Sequence, residues 1–183
     1  MISPQPSDSK PQTAVAIRRT GFIFLMATVA LLFGTLGFAF LMLPQKVAVP
    51  FRVPLIFYLN TLLLIGSSVV LHLGYTRRVY MGTKWLTPAI LIGVLFVLLQ
   101  AYGWYELYAQ GLYFAGSGNK ISLLYLLTIV HALHLVGGLG FLLFVRLRYF
   151  ANGRNYYELA LYFWHFLGIL WVYLLAILSL GRI

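Results

Sequence analysis

The stretch that decides the fold is TIVHALHLVGGLGFLLFV, residues 128–145, which is apolar apart from one threonine and two histidines. It lies in a longer apolar run, 121–144, whose length is close to the roughly 20 residues that cross a bilayer as an α-helix. His131 and His134 are three residues apart, so they share one face of that helix. Polar groups at such a depth can ligate a metal, relay a proton or hold the helix against a neighbour. The function of the chain depends on which role these histidines have.

Five apolar runs dominate the 183-residue chain, which is 62% hydrophobic and 9% charged, with a mean hydropathy of +0.91. A soluble domain of this size could not bury so much apolar surface in one core. The runs are 21–43, 55–73, 88–108, 121–144 and 158–180, and none has the alternating pattern of a membrane β-barrel. The sequence therefore predicts an all-α membrane protein, a bundle of five transmembrane helices formed by residues 21–183. Residues 1–20 are polar and rich in Pro and Ser, and we predict a mobile cytoplasmic N-terminal tail.

The connections between the runs are short and contain turn residues, at 44–54, 75–85, 116–120 and 148–157. Most of the 13 Lys and Arg residues lie on the side of the N-terminus, which the positive-inside rule assigns to the cytoplasm. The C-terminus is then predicted to lie outside. The net charge of +10 is explained by this topology and by anionic lipid headgroups, so nucleic acid is not an expected partner. The nine on the N-terminal side are Lys10, Arg18, Arg19, Arg77, Arg78, Lys84, Arg146, Arg148 and Arg154.

Several kinds of site are excluded by composition. The chain has no cysteine, which removes thiolate iron–sulfur sites, covalent c-type haem, dinuclear thiolate copper and disulfides. Its only acids are Asp8, Glu106 and Glu158, which are too few for a carboxylate-bridged metal pair. No glycine-rich phosphate loop is present, and we assign no catalytic, metal or cofactor-binding residue.

The histidines leave alternatives open. His134 and His165 would lie about 15 Å and about 10 Å from the cytoplasmic ends of their helices, so a b-type haem between them is geometrically conceivable. Structural hydrogen bonding between helices is the favoured role. One face of the fifth helix carries Glu158, Tyr162 and His165. Glu158 is either a solvated carboxylate at the membrane interface, or the three side chains form an inward-facing ladder that packs against the histidines of the fourth helix. His72 is interpreted as an interfacial residue. The predicted packing cluster comprises Gln100, His131, His134, Glu158, Tyr162, Trp164 and His165.

Four segments resemble subunit III of the haem–copper oxidases, as in cytochrome c oxidase. VPLIFYLNTLLLIGSSVV (53–70) is similar to the family's Pro…Asn-Thr…Ser-Ser helix, and GVLFVLLQAYGWYEL (93–107) to its Gly…Phe…Leu-Gln…Glu helix. VHALHLVGGL (130–139) resembles its His-x-x-His helix, and YYELALYFWHFLGILWVYLL (156–175) its Glu-x₆-His helix. The four occur in register across roughly residues 20–180, in the five-helix bacterial form of the family.

The resemblance implies a subunit without haem or copper of its own, in a proton-translocating complex of the aerobic respiratory chain. The oxygen-reducing centre would lie in subunit I and the electron-entry site in subunit II, with haem and copper in those partners. This chain would flank subunit I in the bacterial cytoplasmic (inner) membrane, bind phospholipids and support proton uptake and lasting turnover. A respiratory supercomplex is a further possible partner. The alternatives are subunit III of a quinol oxidase, a membrane haem b protein, and a small transporter, for which no inverted-repeat pair of broken helices is visible.

Three departures from the family limit what the resemblance transfers. The first helix has no acid where many relatives carry a buried glutamate. Gly103 stands where the family has another glutamate, and Gly168 stands where it has an aspartate after Trp-His-Phe. Roles that depend on those carboxylates cannot be assigned to this chain.

Overall fold

The computed structural model describes residues 9–44, 53–76 and 82–181. It contains four helices, α1 (Ser9–Met42), α2 (Leu55–Thr76), α3 (Gly82–Ala109) and α4 (Asn119–Leu180). Helix α4 includes two apolar segments, which we call α4a (Asn119–Leu147) and α4b (Tyr156–Leu180). Together with Ile17–Met42, Leu55–Thr76 and Lys84–Ala109, these are five segments long and apolar enough to cross a membrane. The predicted all-α architecture with five spans is therefore confirmed.

Helix α4 reverses direction between its two spans. A straight helix of its 62 residues would be about 93 Å long, roughly three times the hydrocarbon thickness of a bilayer. Instead Phe144 contacts Tyr156, and His131 stacks on Trp171. The two segments α4a and α4b therefore pack side by side and antiparallel. The predicted connection at 148–157 does separate two spans, and its backbone stays helical. Only the chain direction changes there.

The structure describes the other predicted connections and the N-terminal segment to different extents. The turn at 116–120 is confirmed, since Gly116 and Gly118 adopt positive φ angles of 100° and 97°, which a glycine adopts without steric cost. Of the connections at 44–54 and 75–85, residues 45–52 and 77–81 lie outside the described residues. Helix α1 begins at Ser9, within the segment 1–20 that the sequence assigns to a tail, and the mobility of residues 1–8 stays a prediction. Pro11 is tolerated in the first turn because the backbone N–H groups there have no intrahelical partner.

The spans form an up-and-down bundle in which α4b is the central helix. It contacts α2 and α3, packs beside α4a, and holds α1 along its length. Arg18 reaches Tyr156 at one end, and Phe40 reaches Gly181 at the other, so α1 and α4b are parallel. The two described ends of the chain consequently lie at opposite ends of the bundle.

Helix α1 is the least enclosed span. It packs on α4, and the described residues show no backbone contact between α1 and α2 or α3. Its buried side chains are few, chiefly Val29, Phe33 and Phe40, while Phe24, Leu31 and Phe38 are exposed. An exposed apolar face of this kind is what a helix presents to lipid or to another membrane subunit.

Candidate functional site: polar groups inside the bundle

A chain of hydrogen bonds joins three helices through one serine. The Trp164 indole Nε1 of α4b donates to Ser67 Oγ of α2 at 3.0 Å. Ser67 in turn donates to the carbonyl oxygen of Ala89 in α3 at 3.2 Å. Both side chains are buried, so neither bond competes with solvent. Trp164, which the sequence places in the packing cluster, has this structural role.

Two more tryptophans use the same arrangement with threonines. Trp171 Nε1 of α4b donates to Thr61 Oγ1 of α2 at 3.1 Å, and Trp104 Nε1 of α3 donates to Thr128 Oγ1 of α4a at 3.1 Å. Each threonine hydroxyl also donates to a backbone carbonyl one turn earlier in its own helix. Each threonine hydroxyl therefore accepts a hydrogen bond from an indole N–H and donates one to a backbone carbonyl. Sequence reasoning missed Thr61, Ser67 and Thr128, although small hydroxyl residues in apolar spans are a known signal of helix contacts.

Gln100 pairs with an asparagine rather than a histidine. Asn60 Nδ2 of α2 donates to Gln100 Oε1 of α3 at 3.1 Å, and both side chains have no exposed surface. Gln100 lies one turn after Phe96, whose ring contacts His131, and one turn before Trp104, which is bonded to Thr128. The amide pair thus links α2 to α3 at the level where α3 also contacts α4a.

His131 is held by aromatic rings. Its imidazole is fully buried and stacks on Trp171, with ring centroids 5.3 Å apart and planes inclined by 29°. The rings of Phe33 and Phe96 approach it edge-on at 6.1 and 6.3 Å. Among the described residues no group hydrogen bonds to either ring nitrogen. The expected hydrogen bond from His131 to a neighbouring helix is therefore replaced by packing of three helices around one ring.

His134 is also held differently from the expectation. Its Nδ1 lies 2.7 Å from the Val130 carbonyl of its own helix, and the neutral tautomer that donates this bond satisfies both groups. Its ring contacts Phe33 of α1 with a centroid distance of 5.6 Å. The two histidines of the opening stretch thus form one face on which Phe33 rests, which attaches α1 to α4a. Both histidines contact neighbouring helices through their rings, and neither forms the expected hydrogen bond to another helix within the described residues.

Glu158 marks the end of the bundle where α1 begins. Its carboxylate lies 3.3 Å from the Arg19 guanidinium and accepts a hydrogen bond from the exposed Tyr162 hydroxyl at 3.4 Å. This matches the interfacial reading of Glu158. The ladder reading is wrong for His165, whose ring lies 5.9 Å from that of His72 in α2 and not against the histidines of α4a.

The histidines do not converge as a haem pair. His134 faces α1 through Phe33, whereas His165 faces α2 through His72, and α1 and α2 do not touch in the described part of the chain. Within the described residues no three of His, Asp and Glu come together as a metal site. The polar groups inside the bundle form hydrogen bonds that link one helix to another.

Comparison with known proteins agrees with this picture. No family model matches the chain. It is 31% identical over 137 residues to cytochrome c oxidase subunit 3 of Spodoptera frugiperda, covering 68% of this chain and 86% of that one. The chain belongs to the cytochrome c oxidase subunit III family. It is also 32% identical over 131 residues to a probable cytochrome c oxidase subunit 3 of Mycobacterium leprae, covering 67% of this chain and 64% of that one.

A quinol oxidase relative matches equally well. The chain is 31% identical over 131 residues to cytochrome bo(3) ubiquinol oxidase subunit 3 of Buchnera aphidicola, covering 67% of each protein. It spans about half the length of several of the insect relatives, 48% in Anopheles gambiae. Membership of this subunit III family and five spans together describe a multi-pass membrane protein of a multi-subunit oxidase.

The structure gives a reason for one of the family departures and none for the other. A Cβ atom at Gly103 would collide with the Phe57 ring and lie 2.9 Å from Ile56 Cγ2. Phe57 is fully buried and packs on Trp171, so it cannot move aside easily. At Gly168 the only atom near such a Cβ is Ser68 Oγ, at 3.7 Å. A side chain is thus sterically disfavoured at Gly103, while Gly168 has room for one.

Proposed function

We propose that this chain is the non-catalytic subunit III of a bacterial haem–copper terminal oxidase in the inner membrane. It would flank subunit I, contact subunit II and membrane phospholipids, and support the stability and proton uptake of the catalytic subunit. Family membership carries this proposal. The interior supports a structural role, because its polar groups connect one helix to another. Haem and copper are then expected in the partner subunits.

The exposed surface supports the assembly. Large apolar side chains are exposed along α1, α2 and α3, so a partner subunit and lipid together would have to cover them. We expect mild-detergent purification of the tagged chain to bring down a haem-containing complex. Recovery of the chain alone, from membranes that contain an active oxidase, would contradict the proposal.

The electron donor is a separate question. Relatives named as cytochrome c oxidase and ubiquinol oxidase subunits match at 31–32% identity, so the chain itself favours neither donor. Donor specificity is expected to reside in the partner subunits rather than in this chain. Copper in the co-purified subunit II would indicate cytochrome c, and its absence would indicate quinol.

Deleting this subunit tests its role. A chain without redox groups should be dispensable for the first turnovers, so the complex should still reduce oxygen at the start. We expect its activity to decay faster during sustained turnover, or its proton pumping to be less efficient. The measurement is oxygen consumption over time with and without the chain, at matched haem content. Immediate and complete loss of oxygen reduction with an intact haem spectrum would mean that the chain supplies a catalytic group.

A further inference from the structure

A pocket of about 480 Å³ lies at the end of the bundle where α2 begins and α3 ends. Its α2 side is formed by Pro54 and Leu55, and its α3 side by the last two turns of that helix. Its polar lining includes the carboxylate of Glu106 and the amide of Gln110. The hydrogen bonds inside the bundle do not involve these groups, so the pocket is separate from the interior polar network.

Packing of α2 against α3 holds Glu106 beside the first turn of α2. A Cβ atom at Gly103 would touch the Phe57 ring, so the two helices are in close contact one turn before Glu106. Glu106 is partly buried, and its carboxylate forms no hydrogen bond or ion pair with the described residues. Within the described part of the chain, the pocket therefore contains a negative charge without a partner.

The α2 side of the same pocket attracts anions. Pro54 and Leu55 lie at the N-terminus of α2, a helix of 22 residues. The N–H groups of a first helical turn have no intrahelical acceptors, and the helix dipole adds to their attraction for negative charge. The side-chain amide of Gln110 supplies a further N–H donor. The pocket thus combines a carboxylate with an anion-attracting helix end, and this pair is complementary to a zwitterion.

The position of the pocket along the bundle indicates a lipid headgroup. Glu106 comes three residues before the end of α3 at Ala109, which is about 4.5 Å along the helix. Tyr102 and Tyr105 also line the pocket and are 52% and 64% exposed. Tyrosine is enriched where a membrane meets water. The pocket therefore lies at the level that phospholipid headgroups occupy.

We propose that this pocket binds the headgroup of phosphatidylethanolamine, with its ammonium at Glu106 and its phosphate at the N-terminus of α2. A primary ammonium donates charge-assisted hydrogen bonds to a carboxylate, and aromatic rings attract it as well. Phosphatidylcholine has no N–H group to donate, and phosphatidylglycerol has no cation. A lysine or arginine of a partner protein would neutralise Glu106 but would bring no anion to the α2 end. The site belongs to this chain alone and does not depend on the oxidase role.

The test is lipid binding by the purified full-length chain, measured by native mass spectrometry with the three lipids carrying identical acyl chains. We expect phosphatidylethanolamine to bind about tenfold or more tightly than the other two, because only its ammonium forms the charge-assisted hydrogen bond. Glu106→Gln should weaken its binding by a similar factor and remove its advantage over phosphatidylcholine. Glu158→Gln is the matched control, since that carboxylate is already paired with Arg19 at the other end of the bundle and its loss should leave the preference unchanged.

A second measurement needs no variant and so does not depend on how a variant folds. In bilayers that contain phosphatidylethanolamine, a carbodiimide should join the Glu106 carboxylate to the lipid amine as an amide, while the carbodiimide takes up the released water as its urea. The product is a lipid-modified peptide that contains Glu106. Absence of this peptide, equal binding of the three lipids, or a preference that survives Glu106→Gln overturns the proposal. Coupling of Glu106 to a lysine of another subunit in the assembled oxidase also overturns it, because the pocket is then a protein contact.

Discussion

At the scale of single residues, a matched pair is formed by Gly103 and Gly168, the two positions at which the family resemblance implies a carboxylate. Gly103→Ala places a methyl group against the buried Phe57 ring, while Gly168→Ala places it in open space beside Ser68. We expect Gly103→Ala to destabilise the subunit by about 1–3 kcal/mol, as overpacking does. Gly168→Ala should be neutral or should stabilise by up to about 1 kcal/mol through helix propensity. Unfolding of both purified variants in denaturant titrations measures the difference.

Introducing a carboxylate side chain at Gly103 or at Gly168 should show the same difference between the two positions. Gly168→Asp should assemble into the oxidase at normal levels, and Gly103→Glu should not. Equal assembly of the two variants, judged by the amount of co-purified haem, would mean that α2 can move away from α3 at Phe57.

His131 gives the second prediction at this scale. A buried imidazole without a hydrogen-bond partner costs about 1–3 kcal/mol, and its stacking on Trp171 returns about 0.5–1.5 kcal/mol. His131→Leu should therefore change stability little or raise it, whereas His131→Ala should lose about 2–5 kcal/mol through the cavity it leaves. Thermal unfolding of the two variants separates these outcomes. If leucine were as damaging as alanine, the imidazole would have a polar role that ring packing does not describe.

At the scale of helices, α1 depends on a close approach at Gly37. A Cβ there would lie 2.6 Å from both Ile177 Cδ1 and the Tyr173 hydroxyl, while at Gly34 nothing lies within 4 Å. We expect Gly37→Leu to loosen α1 from α4b, with a cost of about 1–3 kcal/mol, and Gly34→Leu to have no effect. Arg19→Ala should cost less, at most about 1 kcal/mol, because the Arg19 side chain is 58% exposed and its ion pair with Glu158 is screened by solvent. Protease sensitivity of α1 in detergent measures all three.

The element scale also shows what the sequence could and could not predict. Run length alone predicts five spans, because a bilayer demands about 20 apolar residues per helix. The proximity of α4a and α4b follows from the short connection between them. The rotation of each helix does not follow from run length, and it decides that Trp164 meets Ser67 and that His165 meets His72. The Asn-Gly pair at 152–153 correctly signals that the chain turns between 148 and 157, but it gives no sign that the backbone stays helical there.

At the scale of the whole molecule, the charge distribution predicts how the bundle is inserted. The two described ends of the chain lie at opposite ends of an odd-numbered bundle, so the termini must face opposite sides of the membrane once it is inserted. From the sequence alone, nine of the 13 Lys and Arg residues are expected on the side of the N-terminus, which the positive-inside rule assigns to the cytoplasm. Reporter fusions should therefore give cytoplasmic signals at the N-terminus and external signals at the C-terminus. Arg18 and Arg19 lie next to the first span, so replacing both by Gln should reduce the fraction inserted correctly. The control is Lys120→Gln, on the opposite side, which should not reduce it. A C-terminal fusion that reports from the cytoplasm would mean that one of the five segments does not cross the membrane.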